Sequence, residues 1–502
     1  MTTTRIVVVV AAVVCAVVGG TGLLAADHQL QRRGSVVEGV PVEIVRATGA
    51  DGRVPGVVVA HGFGGSGRLM RGFADTLARR GYAVALVDLA GHGASSRRLP
   101  GSGDGPAAEA RLDHDLDVAV RRLRGMPRVD GGRIGLVGHS LGAAAVIRYG
   151  AAHPSIGATV AISQGEMAVP ASARNVLLVA GGLEFAPYRD GAVRAVRDVH
   201  PEGRPGATYG DPRDGTARRA VIVGGVEHVG VLFSPRTHHE TGAWLDAAFG
   251  RRSAPVADVR AVQGAGSAVL LHLAAVLSFG AIAAALLGRP PDRRAARRPV
   301  SVRFALAAAV LAVGAAVPAM GVFRSPVAVA GPLAGFFGVA GVVALVCARD
   351  VAFLGGRPSA RTMAATAVLA VSTVVSFAVP AQLGWAYAVP VGPRVWALVP
   401  IAVGTGLYCL GVEALCAGHE RLTAIGVHAW TATAALAALC AAALVGAVSP
   451  FVLLVSPLVA GLLVWQGVQA AALRAVRAPA WVTAVVGGVL LSWPLAVTMP
   501  IT

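Results

Sequence analysis

The 502-residue chain contains no lysine: all 44 of its basic residues are arginine. Charged residues make up only 14% and aromatics 5%, while hydrophobic residues reach 55%. Soluble domains carry about 25% charged residues, so both an ordinary soluble chain and a disordered one are excluded. Cysteine is scarce as well. Cys15, Cys347, Cys409, Cys416 and Cys440 all lie in apolar runs, and none falls between 27 and 260, which excludes a disulfide framework or a cysteine metal site there. Acids are few enough that the formal charge is +17, an excess that suits either nucleic acid or a membrane. Its position decides between them. From Arg251 onward 17 Arg face five acids (Asp258, Asp292, Asp350, Glu413, Glu420), and they do so among apolar segments. The expected partner is therefore the membrane lipid bilayer, with no role for nucleic acid.

Three regions are expected. Residues 1–26 hold the uncharged run Ile6–Ala26 behind Arg5, long enough to span about 30 Å of hydrocarbon. It is either a signal peptide or a transmembrane anchor. Its length beyond a 7–15-residue signal core and the Leu24-Ala25-Ala26 ending favour an uncleaved anchor. Cys15 follows a bulky Val14 and reads as a membrane-embedded thiol rather than a lipoprotein site.

Residues 27–260 alternate short β-branched runs with amphipathic stretches. Strands are expected at Val42–Ala47, Gly56–Ala60, Tyr82–Asp88, Arg133–Val137, Ala158–Ser163, Asn175–Ala180 and Ala220–Val223. Helices are expected at Arg68–Arg80, Ala107–Arg124, Leu141–Ala152, Asp190–Val199 and His239–Phe249. Such alternation implies a mostly parallel sheet with helices on both faces.

Residues 261–502 form a series of apolar segments near 264–287, 304–323, 327–347, 363–385, 395–417, 423–446, 451–472 and 481–500, an all-α transmembrane domain of eight spans. Twelve Arg fall in alternate connections (Arg289, Arg293, Arg294, Arg297, Arg298 and Arg303; Arg349, Arg357 and Arg361; Arg421; Arg474 and Arg477). Only Arg324 and Arg394 fall in the others. The positive-inside rule makes the Arg-rich connections cytoplasmic and puts residues 27–260 on the extracytoplasmic side of a cell membrane. His272, Glu413 and His428 lie in or near spans. An intramembrane ionisable group is a functional candidate, but Glu413 sits near a span end within reach of water and Arg421, so anchoring and packing outweigh transport.

Gly138-His139-Ser140-Leu141-Gly142 matches G-x-S-x-G. In a chain with 64 Gly the pentapeptide alone is a weak signal, but its setting strengthens it. A strand runs into it and a helix runs out, so Ser140 would stand in a strained turn with its hydroxyl exposed as a nucleophile. The Leu141 amide would point at the same spot from the helix start. Upstream, His61-Gly62-Phe63-Gly64-Gly65-Ser66-Gly67 follows a strand, and the Phe63 amide would join that of Leu141 at a developing oxyanion. Ser66 would cap the following helix. Two acids and one histidine follow later strands: Glu184 and His228, with Glu166 as reserve acid. The order Ser140, Glu184, His228 makes a catalytic triad in which the carboxylate orients the imidazole. His238 and His239 are expected on a solvated helix face and His92 on a turn.

Taken together, residues 35–250 resemble an α/β-hydrolase of the esterase, lipase and serine-aminopeptidase-like kind. His61-Gly62-Phe63-Gly64-Gly65 resembles its oxyanion loop, and Asp88-Leu89-Ala90-Gly91-His92-Gly93-Ala94-Ser95 its D-x-x-G-H-G-x-S turn, in which Asp88 is structural. Gly181-x-x-Glu184-x-x-Pro187 resembles the G-x-x-D-x-x-P turn, with Glu in place of the usual Asp. Only about ten residues, Gln164 to Arg174, stand where many members insert a lid. The resemblance implies a serine hydrolase acting on esters, or on amides or peptides, without a metal or organic cofactor. Tethering favours acylated envelope components or lipids as substrates. The competing reading is a non-catalytic hydrolase-fold binding or sensor module attached to a membrane or transporter-like domain.

Overall fold

A computed structural model describes residues 3–49, 52–101, 105–251, 262–288, 299–323, 325–349 and 358–502. The Arg cluster at 289–298, together with Arg324 and Arg357, lies outside the described residues. The chain divides into two compact units: Met1–Val17 with Leu270–Pro380 and Pro390–Met499, and Val18–Val269 with Ala381–Val389 and Pro500–Thr502.

An N-terminal helix, α1 (Thr3–Asp27), precedes a nine-stranded sheet. Its strands are β1 (Leu30–Val37), β2 (Val40–Ala47), β3 (Val54–Ala60), β4 (Ala83–Val87), β5 (Val129–His139), β6 (Ile156–Ile162), β7 (Val176–Gly181), β8 (Thr208–Tyr209) and β9 (Arg218–Val223). Their spatial order is β1-β2-β4-β3-β5-β6-β7-β9-β8. From β4 to β9 the neighbours run parallel, whereas β1, β2 and β8 are antiparallel additions at the edges. The sheet is covered by α2 (Arg71–Arg79) and α6 (Pro235–Ala248) on one face, and by α3 (Pro106–Arg124), α4 (Leu141–Ala152) and α5 (Ala186–Arg197) on the other.

The continuous apolar run of β3 follows from that sandwiching. Val57 and Val59 join the core beneath α2 and α6, while Val58 and Ala60 join the core beneath α3 and α4. A strand buried on both faces needs apolar side chains at every position. β3 lies between β4 and β5, so the chain reverses its direction of travel across the sheet at this point. Loops after β3 and β5 diverge there and leave a crevice at the carboxyl edge.

His238 departs from the expectation of a solvated face. It is only 1% exposed, stacks on Phe73 with ring centroids 4.1 Å apart, and lies 2.9 Å by Nε2 from the Leu232 carbonyl. His92 is in its turn but fully buried. Burial pulls the His238 pKa from 6.5 down to about 4. As pH falls below 6.5 the unfolded chain takes up a proton that the folded imidazole refuses until about pH 4, so about 3 kcal/mol of stability is lost across that window. Asp115 works in the opposite sense. Burial outweighs its bonds to the Ala90 N–H and Arg97 and raises its pKa from 3.8 to about 6, which favours the fold as pH falls from 6 to 4. His238→Gln should therefore turn the acid side of the urea-unfolding midpoint upward relative to the parent chain. Parallel pH profiles would assign the titration elsewhere.

The helices α7 (Gln263–Leu287), α8 (Val302–Ala316), α9 (Ala330–Ala348), α10 (Ala360–Gly384), α11 (Pro393–Cys416), α12 (Arg421–Leu444), α13 (Phe451–Ala475) and α14 (Ala480–Thr498) follow one another and, apart from the start of α7 and the end of α10, belong to the other unit. With α1, and with α8 extended by a 3-10 turn to Gly321, they give nine described helices long and apolar enough to cross a membrane. Their packing relies on small residues. Ala305, Ala308, Ala309, Ala312 and Ala316 lie on one buried stripe of α8, the spacing that lets helix backbones approach without a hydrophobic driving force. Glu413 is 7% exposed and pairs with Arg474 rather than with Arg421. Arg394 is fully buried, its Nε donating to the Met499 carbonyl at 3.1 Å.

Candidate active site

The loops that follow β3, β5, β7 and β9 bring the candidate residues to the carboxyl edge of the sheet. Ser140 stands between the end of β5 and the first residue of α4, with φ 52° and ψ −115°. A non-glycine residue in that region costs about 1–3 kcal/mol and persists only where the surroundings impose it. Both flanking glycines are required by contact. A Cβ on Gly138 would lie 2.2 Å from the Gly142 carbonyl oxygen, so any side chain would force the strand and helix apart and flatten the turn. As the first residue of α4, Leu141 presents an N–H without an intrahelical acceptor, aimed back along the helix axis.

The loop after β3 is pressed against this turn. A Cβ on Gly62 would lie 3.0 Å from Ser140 Cβ and 2.8 Å from His139 Nδ1, which puts the backbone leading into Phe63 directly beside the turn at Ser140. Two side chains hold the loop in place. His61 accepts the Leu89 N–H at Nε2 (3.1 Å), so its Nδ1–H donates to the Gly62 carbonyl (2.8 Å). Asp88 accepts the N–H groups of Gly67 (2.6 Å) and Ala94 (2.7 Å) and so joins the loop after β3 to the turn after β4. Ser66 does not cap the next helix with its side chain. Its Oγ accepts the N–H of Tyr387, a residue of the same compact unit, at 3.1 Å.

Glu184 and His228 come from the loops after β7 and β9. Glu184 Oε2 lies 3.2 Å from His228 Nδ1, and both residues are buried. The other oxygen, Oε1, accepts the Gly181 N–H (2.8 Å) and the Ser163 hydroxyl (2.6 Å). Three partners on one carboxylate fix its orientation. Glu166 is elsewhere: its side chain is half exposed and its partner is Arg194 at 3.6 Å.

Three further residues of the site were not singled out from the sequence. Ser163, at φ 53° just past β6, is the second hydroxyl at this edge and a ligand of Glu184. His139 lies 3.0 Å by Nε2 from the backbone carbonyl of His228. Burial, reinforced by the neighbouring His228, pushes its pKa well below 6.5, so it is a neutral ring that donates from Nε2. Tyr188 packs its ring 4.6 Å from that of His228, and burial, with the Glu184 charge adding to it, raises its phenol pKa. His139 carried a signal, being the variable residue inside G-x-S-x-G. Ser163 and Tyr188 carried none beyond standing near a strand end. Among the described residues, no group of three or more His, Cys, Asp or Glu gathers in a way that could hold a metal ion.

Residues 55–182 match the family model of the α/β hydrolase fold, which agrees with the parallel sheet, its crossovers and the strand-to-helix turn at Ser140. No curated protein matches the chain. Among solved structures it is similar to a protein described as a dienelactone hydrolase from Klebsiella pneumoniae, at 17% identity and a TM-score of 0.35, covering 44% of this chain and 99% of that one. It is also similar to a dienelactone hydrolase from Anabaena variabilis, at 21% identity and a TM-score of 0.31, covering 43% and 97%.

Proposed function

We propose that this chain, an α/β-hydrolase unit joined to a unit of membrane-length helices, is a membrane-embedded serine hydrolase that cleaves esters, with amide or peptide bonds a less favoured substrate. The observation that carries the reading is the buried Glu184–His228 pair at the strand edge that also holds Ser140 in its strained turn. Ser140 attacks the acyl carbonyl while His228 Nε2 takes its proton. Glu184 keeps the proton on Nδ1 and stabilises the imidazolium. The amides of Phe63 and Leu141 hold the oxyanion. His228 then passes its proton to the leaving alcohol, and the acyl-enzyme is opened by a water that His228 deprotonates, returning Ser140. His139 steadies the backbone of His228 and so the height of the imidazole.

A tether at the membrane raises the effective concentration of membrane-held esters, which favours acylated envelope components or lipids as substrates. With the full chain in phosphatidylcholine liposomes, a fluorogenic acyl lipid should be turned over with a kcat/KM about tenfold or more above that for soluble p-nitrophenyl butyrate. Equal or reversed values would reject the lipid substrate while leaving the esterase intact.

The excess of Arg on alternate connections supports an extracytoplasmic hydrolase unit in a multi-pass membrane protein. Burial of Arg394 against Met499 strengthens this, because one of the two Arg on the poorer side serves packing rather than a loop. Asp214→Cys, on an exposed turn before β9, is expected to react with a membrane-impermeant maleimide on intact cells. Reaction only after lysis would put the unit in the cytoplasm.

A further inference from the structure

We propose that the groove between α12 and α13 is a binding site for an anionic phospholipid, its acyl chain laid along the helices and its headgroup phosphate at the Arg421 end. The inference rests on these helices crossing a bilayer and is independent of the hydrolase chemistry. Between the two helices lies an open groove of about 570 Å³, within the roughly 300–1,000 Å³ of small-molecule sites. Its composition is graded along its length. Arg421, near the start of α12, and Arg474, near the end of α13, share one end with His428. Beyond them the walls are formed by Ala432, Leu436, Ala460 and Val464, among others. One end thus accepts a charged group and the remainder accepts hydrocarbon.

The polar end has unused donors and acceptors. His428 is 5% exposed, and its Nε2 lies 2.9 Å from Gln466 Oε1, yet its buried Nδ1 has no partner among the described residues. Arg474 gives Nη1 to Glu413, while Nη2 is buried and likewise without a partner. Glu413 answers one guanidinium, and Arg421 leaves the mouth positive. Unfilled polar positions in an apolar setting are costly; a phosphate at the mouth would accept from Arg474, and a hydroxyl of a polyol headgroup such as glycerol would donate to His428 Nδ1. The planar guanidinium meets a phosphate in two-point contact, and the net positive mouth favours a phosphate whose charge no choline offsets. Gly467 also lines the cavity, and a Cβ there would lie 3.3 Å from the His428 ring, so a side chain at that position would press on the ring.

The test uses the full chain in phosphatidylcholine nanodiscs carrying trace photoreactive phosphatidylglycerol, phosphatidylcholine or palmitate, with the diazirine on the same acyl chain and adducts mapped by mass spectrometry. Phosphatidylglycerol adducts should concentrate around Ala432, Leu436 and Ala460, about fivefold above phosphatidylcholine for one net positive charge. Arg421→Gln, at an exposed position, should bring the two lipids level. Ala432→Phe and Ala460→Phe, each filling the groove, should remove these adducts and leave those on other helices unchanged, which also reports that the variants are folded. Equal labelling by the two phospholipids, preference for palmitate, adducts on other helices only, or groove adducts surviving both fillings would overturn the proposal. No adduct on any helix would overturn the bilayer reading and this inference with it. Should both filled variants lose the pattern on other helices, the Arg421→Gln comparison decides.

Discussion

Replacing Ser140 by Ala is expected to lower kcat/KM for a soluble p-nitrophenyl ester by about 10⁴-fold or more. The residual rate would come from the oxyanion amides and binding alone. The expected effect is this large because, in the proposed mechanism, the Ser140 hydroxyl forms the acyl-enzyme and its partners cannot act without it. Folding should be nearly unchanged, since alanine meets the same contacts at φ 52° and its side chain is one oxygen smaller. Activity retained in Ser140→Ala would move the nucleophile elsewhere. Activity absent in the parent chain, across ester substrates, would favour a binding module that keeps only the fold.

The second large effect is expected from Glu184→Gln, a loss of about 10³–10⁴-fold in kcat, although the replacement matches the shape of the original. Glu184 accepts hydrogen bonds on both oxygens, and Oε1 receives two donors, the Gly181 N–H and the Ser163 hydroxyl. A glutamine has one acceptor oxygen, and those two donors claim it. Its NH₂ group must then face His228 Nδ1. A donor in that place turns Nδ1 into an acceptor and moves the imidazole proton to Nε2, where it cannot receive the proton of Ser140. Glu166→Gln should change the rate by less than about twofold, because an exposed surface ion pair with Arg194 contributes little. Steady-state rates of the two variants against one ester decide the matter. A larger loss from Glu166→Gln would assign the acid to that position.

The central fold was legible because burial on both faces forces apolar continuity. β3, β4 and β7 could be read from their valine and alanine runs within a residue or two. The outermost strands, β1 and β8, could not. β1 has the sequence Leu30-Gln31-Arg32-Arg33-Gly34-Ser35-Val36-Val37 and is exposed along most of its length, so no hydrophobic pattern marks it. Its one signal is Glu38-Gly39, both at positive φ, a two-residue hairpin turn joining it to β2. Two helix starts differ from expectation in the same way. α5 and α6 begin at Ala186 and Pro235, about four residues ahead of the expected starts, because Pro187 and Pro235 occupy the first helical turn, where proline is well tolerated.

At the site, Ser140, Glu184 and His228, to which the proposal gives the side-chain chemistry, stand out as an ordered set after strand ends. Residues that position them were not. Ser163 and Tyr188 act on Glu184 and His228 across the sheet edge, and no local pattern in one chain records such a pairing. His238 shows the converse. Its charge-bearing ring looked suited to solvent, yet packing against Phe73 and Thr76 draws it inward.

The measurement that bears most directly on the whole account is covalent labelling of the full chain with a fluorophosphonate probe, followed by mass spectrometry of the peptide Ile134–Arg148. Only a serine activated by a neighbouring base and facing an oxyanion site reacts readily with such a probe. A single adduct is expected on Ser140, lost in Ser140→Ala and strongly slowed in Glu184→Gln. No adduct, or one that persists when Ser140 is replaced, would contradict it.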